Sequence, residues 1–201
     1  MALSEKAAYF DRIADKWDSF DNLETLSTKL GNGLQNFGLL PNESVLDVGC
    51  GTGNLTRAIL AILGPEGRVH AVDVSARMCE LAQAKITDPR VTWYCADASH
   101  MPLTECSCDR AICFSVWPHF NDKLLVALEL ARVLRHGGCL HIWHLIGRRR
   151  INDLHAAAGG AIANDILHAV EETAGLLRKA ELRIAVARES DDDYLVTATK
   201  P

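Results

Sequence analysis

The chain has 201 residues, of which 48% are hydrophobic and 23% are charged, and its formal net charge is −5 at pH 7. This length suits a single domain with a sizeable core. The negative net charge does not indicate the basic surface that nucleic-acid binding requires. No apolar run reaches the roughly 18 to 20 residues that a membrane helix needs, no signal peptide is recognisable, and seven cysteines without one favour reduced thiols in a cytoplasmic protein.

The chain is predicted to begin with a helical section, residues 1–40, and to continue as an α/β core, residues 41–201, within one domain 1–201. Helices are expected near 5–18, 23–35, 54–63, 75–86, 122–134 and 165–180, and strands near 45–48, 69–73, 91–95, 109–114, 138–145, 182–188 and 194–200. Alternating strands and helices imply a parallel sheet with helices on both faces.

The last two predicted strands are separated by the polar turn Ser190–Asp193, so they should pair as an antiparallel hairpin. The expected fold is therefore a Rossmann-like three-layer sandwich. Its seven-stranded sheet is mostly parallel with an antiparallel last strand, and the N-terminal helices form a lid.

The first core strand runs into a glycine-rich turn, VLDVGCGTGNLT, from Val45 to Thr56. The spacing is G-x-G-x-G, at positions 49, 51 and 53. The dinucleotide fingerprint needs a glycine at position 54, where this chain has Asn. Glycine tolerates positive φ and lacks Cβ, so such a loop lets the backbone press against a ligand, although a purely structural turn is the alternative.

The second strand, in VHAVDVSARM, ends on Asp73, which lies 24 residues (73 − 49) past the first loop glycine. An acidic side chain at this place can accept hydrogen bonds from two ribose hydroxyls. The segment VTWYCADASHMPL gives a third strand that ends near Asp97 and Ala98, and DRAICFSVWPHF gives a fourth. In RVLRHGGCLHIWHL a helix ends, the pair Gly137–Gly138 is expected to turn, and a fifth strand follows.

These motifs, in this order, resemble the class I methyltransferases that depend on S-adenosylmethionine (SAM). The resemblance extends from about Tyr9 to the end of the chain and is closest to the small menaquinone and ubiquinone biosynthesis enzymes. The opening AAYFDRIADKWDSF is similar to their "yFdxiAxxYD" pattern, with Trp17 where tyrosine is common. The RVLRHGG segment is similar to "RVLkpGG", with His136 where proline is usual.

The resemblance implies that SAM is the cofactor, that S-adenosylhomocysteine is its product, and that a methyl group passes to a small-molecule acceptor by in-line displacement. It implies that residue 97 holds the adenine amine and that the backbone of residue 98 holds the ring. The implied partner is the acceptor alone, and the protein is expected to be a monomer or homodimer. The expected cofactor-binding residues are Asp47, Gly49, Cys50, Gly51, Asn54, Asp73, Val74, Met78, Asp97, Ala98, Ser115 and Trp17.

Three histidines near predicted strand ends, His119, His144 and His155, are candidate general bases, because imidazole titrates near neutral pH. His119 and His144 are the predicted catalytic residues, and ordinary polar residues at strand ends are the alternative. A metal site built from the three histidines is not expected, since it would need a convergent geometry that spacing cannot show. Tyr9, Trp17, Trp117, His119 and His144 are expected to line the acceptor pocket, with Trp117 a possible stacking surface.

The pocket is expected between residues 115–120, the N-terminal helices and residues 146–168, where the last segment is either a lid or a plain surface connection. Two other functions stay open at this point. One is a SAM-binding protein without catalysis, acting as a sensor or partner-dependent subunit. The other is a metal- or metalloid-handling thiol protein, which is suggested by the seven cysteines and eight histidines.

Overall fold

A computed structural model of the chain describes residues 5–201, and its elements follow the predicted order with one additional helix, Arg148–Ala158, that was not among the expected ones. The helices are α1 (Glu5–Ile13), α2 (Leu23–Asn36), α3 (Asn54–Leu60), α4 (Ala76–Lys85), α5 (Lys123–Val133), α6 (Arg148–Ala158) and α7 (Val170–Lys179). The strands are β1 (Ser44–Val48), β2 (Arg68–Asp73), β3 (Val91–Cys95), β4 (Cys108–Phe114), β5 (Leu134–His144), β6 (Arg183–Glu189) and β7 (Tyr194–Thr199). Short 3₁₀ segments occupy Ala14–Phe20, Trp117–His119 and Gly160–Ile162. No helix among residues 5–201 combines the length and apolar character needed to cross a membrane.

The seven strands form one sheet in the order β3-β2-β1-β4-β5-β7-β6. The pairs from β3 to β5 are parallel, whereas β7 runs antiparallel to both of its neighbours, β5 and β6. This confirms the predicted sheet and its reversed last strand. The order reverses between β1 and β4, so a crevice opens beyond their carboxyl ends, where ligands bind in such sheets.

Helices cover both faces of the sheet, and alternate strand residues point into the two layers. In β4, Ala111 and Cys113 belong to the core shared with α5 and α7, whereas Ile112 belongs to the core shared with α2 and α3. The three-layer sandwich is thereby confirmed, and the crevice is fixed between two packed layers.

Strand β5 differs from its prediction, because it begins at Leu134 and runs through the glycine pair that was expected to turn. The register with β4 passes from Cys108 opposite Leu134 to Arg110 opposite Cys139, so the extra residues of β5 form a bulge. Gly137 takes φ +81° within it, a value that glycine adopts without steric cost.

Two helices are also shorter than predicted. The first is α-helical only to Ile13 and continues as a 3₁₀ segment, and α7 begins at Val170 rather than near residue 165. Both differences place irregular backbone beside the crevice, where residues 14–20 and Asp165 take part in the candidate site described below.

A buried network of polar side chains links β4 and β5 beneath α2. Arg110 donates from Nε and Nη2 to the two carboxylate oxygens of Glu43, at 2.7 and 2.8 Å, and from Nη1 to His141 Nε2 at 2.7 Å. A guanidinium has no acceptor, so Nε2 is unprotonated and Nδ1 donates to Thr197 Oγ1 at 3.0 Å. Burial and the charge of Arg110 lower the pKa of His141 to about 3.

This histidine should make the stability of the protein depend on pH. Because its folded pKa lies below the unfolded value of about 6.5, its contribution is complete above pH 6.5 and declines as the pH falls toward 3, by at most about 1.4 kcal/mol per pH unit. Urea unfolding between pH 7 and pH 5 should therefore show a shallower decline for His141→Gln than for the unsubstituted protein. His144, whose pKa is also lowered to about 3 by burial, supplies a similar remaining slope.

The exposed His100 provides a matched control, so the pH slope of His141→Gln is compared with that of His100→Gln. Equal slopes for His141→Gln and the unsubstituted protein would contradict the proton assignment on His141.

Candidate functional site

A cavity of about 600 Å³ opens beyond the carboxyl ends of β1, β2 and β4 and is bordered by the N-terminal helices. Every residue predicted to bind the cofactor lies in its wall: Asp47, Gly49, Cys50, Gly51, Asn54, Asp73, Val74, Met78, Asp97, Ala98, Ser115 and Trp17. The fold thus brings together residues from the ends of four strands and from the N-terminal section.

The three loop glycines have positive φ angles of +70°, +52° and +86° at positions 49, 51 and 53, and their surroundings differ. A Cβ on Gly49 would collide with Val116, and one on Gly53 would lie 2.8 Å from Ile86 Cδ1. A Cβ on Gly51 would meet only Trp17 Nε1, at 3.8 Å. The outer glycines therefore permit close packing of the turn, while Gly51 leaves backbone open toward the cavity.

The carboxylate of Asp73 holds this loop against the end of β2. Its Oδ2 accepts a hydrogen bond from Gly51 N at 2.8 Å, and its Oδ1 accepts one from Ser75 N at 2.9 Å. Burial raises the pKa of Asp73, although these backbone donors partly offset the shift. Each oxygen keeps further acceptor capacity, since a carboxylate offers about four lone-pair sites.

Asp47, at the end of β1, is 1% exposed yet lies in the cavity wall. Its Oδ2 accepts a 2.6 Å hydrogen bond from Thr56 Oγ1. Burial and the nearby negative charge of Asp73 raise the pKa of Asp47 to about 7. Two acidic groups therefore face one buried region, an arrangement that favours a cation in the cavity.

Two aspartates of the N-terminal section hold it over the glycine loop. Asp11 Oδ1 accepts from Ser75 Oγ at 2.6 Å and from Arg77 N at 3.1 Å, at the start of α4. Asp18 Oδ1 accepts from Thr52 Oγ1 at 2.6 Å and from Asn54 Nδ2 at 3.1 Å. Asp18 also pairs with Lys85.

These two contacts were missed in the sequence analysis. The signal was present, because Asp11 and Asp18 occupy the two acidic positions of the "yFdxiAxxYD" pattern. Together they hold Trp17 at the mouth of the loop.

The end of β4 turns sharply into the opposite wall of the cavity. Ser115 has φ +54° and donates from its backbone N to Trp143 O at 3.0 Å. The following Val116 fills the space beside Gly49. A non-glycine residue in the left-handed region is uncommon, and such strain concentrates at functional sites. On the other side of the cavity, Asp97 Oδ1 accepts from the Ser99 backbone N and hydroxyl, at 2.8 and 2.7 Å.

His119 lies in the cavity wall, and its Nδ1 lies 2.8 Å from Asp165 Oδ2. The ring of Phe10 packs edge-on against its imidazole, with centroids 5.0 Å apart. Burial lowers the pKa of His119, and the hydrogen bond with Asp165 opposes this. Of the three candidate bases, His119 alone is in contact with the cavity.

The other expected lining residues are elsewhere. His144 is 2% exposed and packs edge-on against Tyr194, and Trp117 is fully buried in the core. Neither His144 Nε2 nor Trp117 Nε1 has a hydrogen-bond partner among residues 5–201. The expectation that His144, Trp117 and Tyr9 line the pocket is wrong, because the 3₁₀ turn and the end of β5 direct the first two side chains into the core.

The aromatic wall comes from other positions, which the sequence analysis did not single out. Phe10, Phe114 and Phe120 line the cavity together with Trp17. His155, the third candidate base, lies behind this wall, where its Nδ1 donates to the carbonyl of Asp165 at 2.6 Å.

Neither the histidines nor the cysteines assemble a metal site. Among residues 5–201, no group of three or more His, Cys, Asp or Glu side chains is placed to hold a metal ion. All seven cysteines are free thiols.

Comparison with known proteins agrees with this geometry. A family model described as a methyltransferase domain matches residues 45–138. A malonyl-[acyl-carrier protein] O-methyltransferase of Anoxybacillus flavithermus is 27% identical over 152 residues, covering 76% of this chain and 58% of the relative. A demethylmenaquinone methyltransferase of Lactobacillus johnsonii is 32% identical over 136 residues, covering 64% of this chain and 56% of the relative. The chain thus spans less than three fifths of the length of these curated relatives.

The fold comparison covers nearly the whole chain. The crystal structure of a SAM-dependent methyltransferase from Aquifex aeolicus superposes with a TM-score of 0.77 and 22% identity, covering 94% of this chain and 98% of the other. A methyltransferase domain therefore matches residues 45–138, and over nearly the whole chain the fold is similar to that of a SAM-dependent methyltransferase.

Proposed function

We propose that the protein transfers a methyl group from SAM to a small-molecule acceptor by in-line displacement. One observation carries this proposal: a single cavity joins the residues suited to hold SAM to a second wall that bears His119 and four aromatic rings. A binding site for SAM alone would not need the second wall.

The residues present fit the cofactor. Gly51 leaves a cradle that a side chain would fill, Asp73 has acceptor capacity for ribose hydroxyls, and the partly protonated Asp47 lies where a cationic amino-acid moiety would be neutralised. Asp97 and Ala98 lie farther along the same wall, beside the end of β3.

Bound SAM supplies an activated methyl group on a sulfonium, so the protein needs mainly to orient the acceptor and exclude water. The N-terminal section, which the structure describes from residue 5 to residue 40, covers the cavity and excludes water. The contacts of Asp11 and Asp18 hold it there. His119 takes the proton from an acceptor that carries one at neutral pH. His144 is too deeply buried to share this role.

Residues 146–168 cover less of the cavity than a lid would. Within this segment only Ile146 lines the cavity, whereas the 3₁₀ turn at Gly160–Ile162 lies against α1 and α6 packs against that turn. We therefore assign the segment to supporting the lid formed by the N-terminal section.

The proposal includes acceptors that are methylated on O, N, S or C. The names of the relatives point to a quinone precursor or a carrier-bound malonyl group, and the aromatic wall suits a flat or apolar acceptor. A cytoplasmic location and a monomeric or homodimeric state stay predictions of the sequence.

The proposal is tested by incubating the isolated protein and methyl-labelled SAM with a panel of phenols, amines, thiols and quinols. We expect acceptor-dependent formation of S-adenosylhomocysteine, and His119→Ala should slow the reaction of a protonated acceptor about 10²- to 10⁴-fold with little change in SAM affinity. His100→Ala, at an exposed position, is the matched control.

Tight SAM binding without turnover across the panel would favour the non-catalytic sensor or partner-dependent subunit. Full activity of His119→Ala would indicate a transfer driven by proximity alone, as for an acceptor that is already a thiolate.

Gly51→Ala tests the cradle. Its methyl group would enter the cavity, so SAM affinity should fall at least about tenfold, or ~1.4 kcal/mol. Gly38→Ala is the matched control, because Gly38 also has a positive φ, +67°, but has open space around its Cβ position. Calorimetry should show unchanged SAM binding in the control and similar melting temperatures for both variants. Normal binding by Gly51→Ala would mean that the loop is only a structural turn.

Asp47 should make SAM binding depend on pH. With its pKa raised to about 7, the group is mainly protonated below that pH, and a cationic ligand favours the ionised form. Affinity should therefore rise as the pH increases from 5.5 to 7, by at most about tenfold per pH unit, with proton release on binding. Calorimetry in buffers of different ionisation enthalpy measures the released proton. Asp47→Asn should reduce both effects, and an unchanged pH dependence in that variant would contradict the assignment.

A further inference from the structure

Three parts of the chain that are distant in sequence meet at the carboxylate of Asp165. Its Oδ2 lies 2.8 Å from His119 Nδ1, and its Oδ1 lies 2.7 Å from Lys6 Nζ on α1. Lys6 also donates to the carbonyl oxygen of His119 at 2.6 Å. Asp165 is 8% exposed, and both of its oxygens are engaged.

This arrangement determines where the proton of His119 lies. Burial raises the pKa of Asp165, but the hydrogen bonds from His119 and Lys6 outweigh it and hold that pKa below its usual value. An ionised carboxylate has no proton to donate, so Nδ1 of His119 carries the proton and the neutral ring presents an unprotonated Nε2. Nε2 is then the nitrogen that can take a proton from an acceptor in the cavity.

Asp165 is itself held in place from behind. His155 donates from Nδ1 to the carbonyl oxygen of Asp165 at 2.6 Å, and its ring lies 4.7 Å from that of His119. On the cavity side, Phe10 of α1 packs against the His119 ring. The imidazole is therefore fixed on one face by the helix that Lys6 anchors.

Several charged or titratable groups surround His119. Asp165 favours the imidazolium, while burial, His155 and Lys6 favour the neutral ring. His144 lies deeper on β5, and Lys123 donates to the carbonyls of Pro118 and Phe120 beside the 3₁₀ turn. The net direction is a lowered pKa, which keeps His119 neutral and able to act as a base at neutral pH.

We infer that Asp165 is a positioning residue with two linked roles: its carboxylate fixes the Nδ1–H form of His119, and it anchors α1 over the cavity through Lys6. The same carboxylate therefore both holds α1 over the cavity and orients the His119 base. This inference rests on the proposed function of His119, but its structural content can be measured without an acceptor.

Nitrogen-15 NMR of histidine-labelled protein tests the first role. For His119 we expect a pyrrole-type signal at Nδ1 and a pyridine-type signal at Nε2 near pH 7. Asp165→Asn removes the negative charge, so the pKa of His119 should fall further, and Asp165→Glu should restore it in part. Lys6→Met should raise that pKa, because a positive charge is lost, while the Nδ1–H form persists.

Hydrogen exchange of the α1 amides tests the second role. Lys6→Met and Asp165→Asn should each speed exchange in α1 by roughly tenfold, the effect expected from losing one charged hydrogen bond. Asp153→Asn, at an exposed position of α6, and Lys16→Met, at an exposed position of the N-terminal section, are matched controls that should change neither exchange nor the imidazole signals.

The outcomes separate this inference from the proposed function. An Nε2–H form in the unsubstituted protein, or unchanged α1 exchange in Asp165→Asn, would overturn the role of Asp165 and leave methyl transfer untouched. Absence of turnover across the acceptor panel, with the Nδ1–H form present, would refute the proposed function instead. Once an acceptor is found, Asp165→Asn should lower kcat about 10- to 100-fold with the KM for SAM unchanged.

Discussion

The site depends on the carboxylate of Asp73, which joins the end of β2 to the glycine loop through Gly51 N and to the start of α4 through Ser75 N. Since Ser75 also donates to Asp11, the same short segment fixes the N-terminal cover. One acidic side chain thereby sets the relative positions of the loop, a helix start and the N-terminal section.

Two acidic side chains in one site carry an unfavourable electrostatic free energy. Burial raises the pKa of both Asp47 and Asp73, and the charge of Asp73 further disfavours ionisation of Asp47. A protein selected only for stability would gain by replacing one of them with an apolar residue. Their joint presence fits the proposed cationic cofactor, and Ser115, with its positive φ, lies in the opposite wall of the same cavity.

The sequence predicted most of the fold and one wall of the cavity, because strand periodicity and glycine spacing are local properties. The motif residues at strand ends converge since parallel strands end at one edge of the sheet. The second wall could not be predicted in this way. Trp117 and His144 turn inward for reasons of packing, and Asp165 meets His119 and Lys6 only through tertiary contacts spanning 46 and 159 residues of sequence. Local patterns carry no information about such long-range contacts.

The position of Trp17 gives the protein an optical property. Of its four tryptophans, Trp17 alone lines the cavity, next to Gly51, whereas Trp117 and Trp143 are buried in the core and Trp93 packs against the core shared with α2 and α3. Any molecule that fills the cradle must change the polarity around that single indole. The emission of the protein therefore contains one component that reports occupancy of the cavity against a background of three rings that report the integrity of the fold.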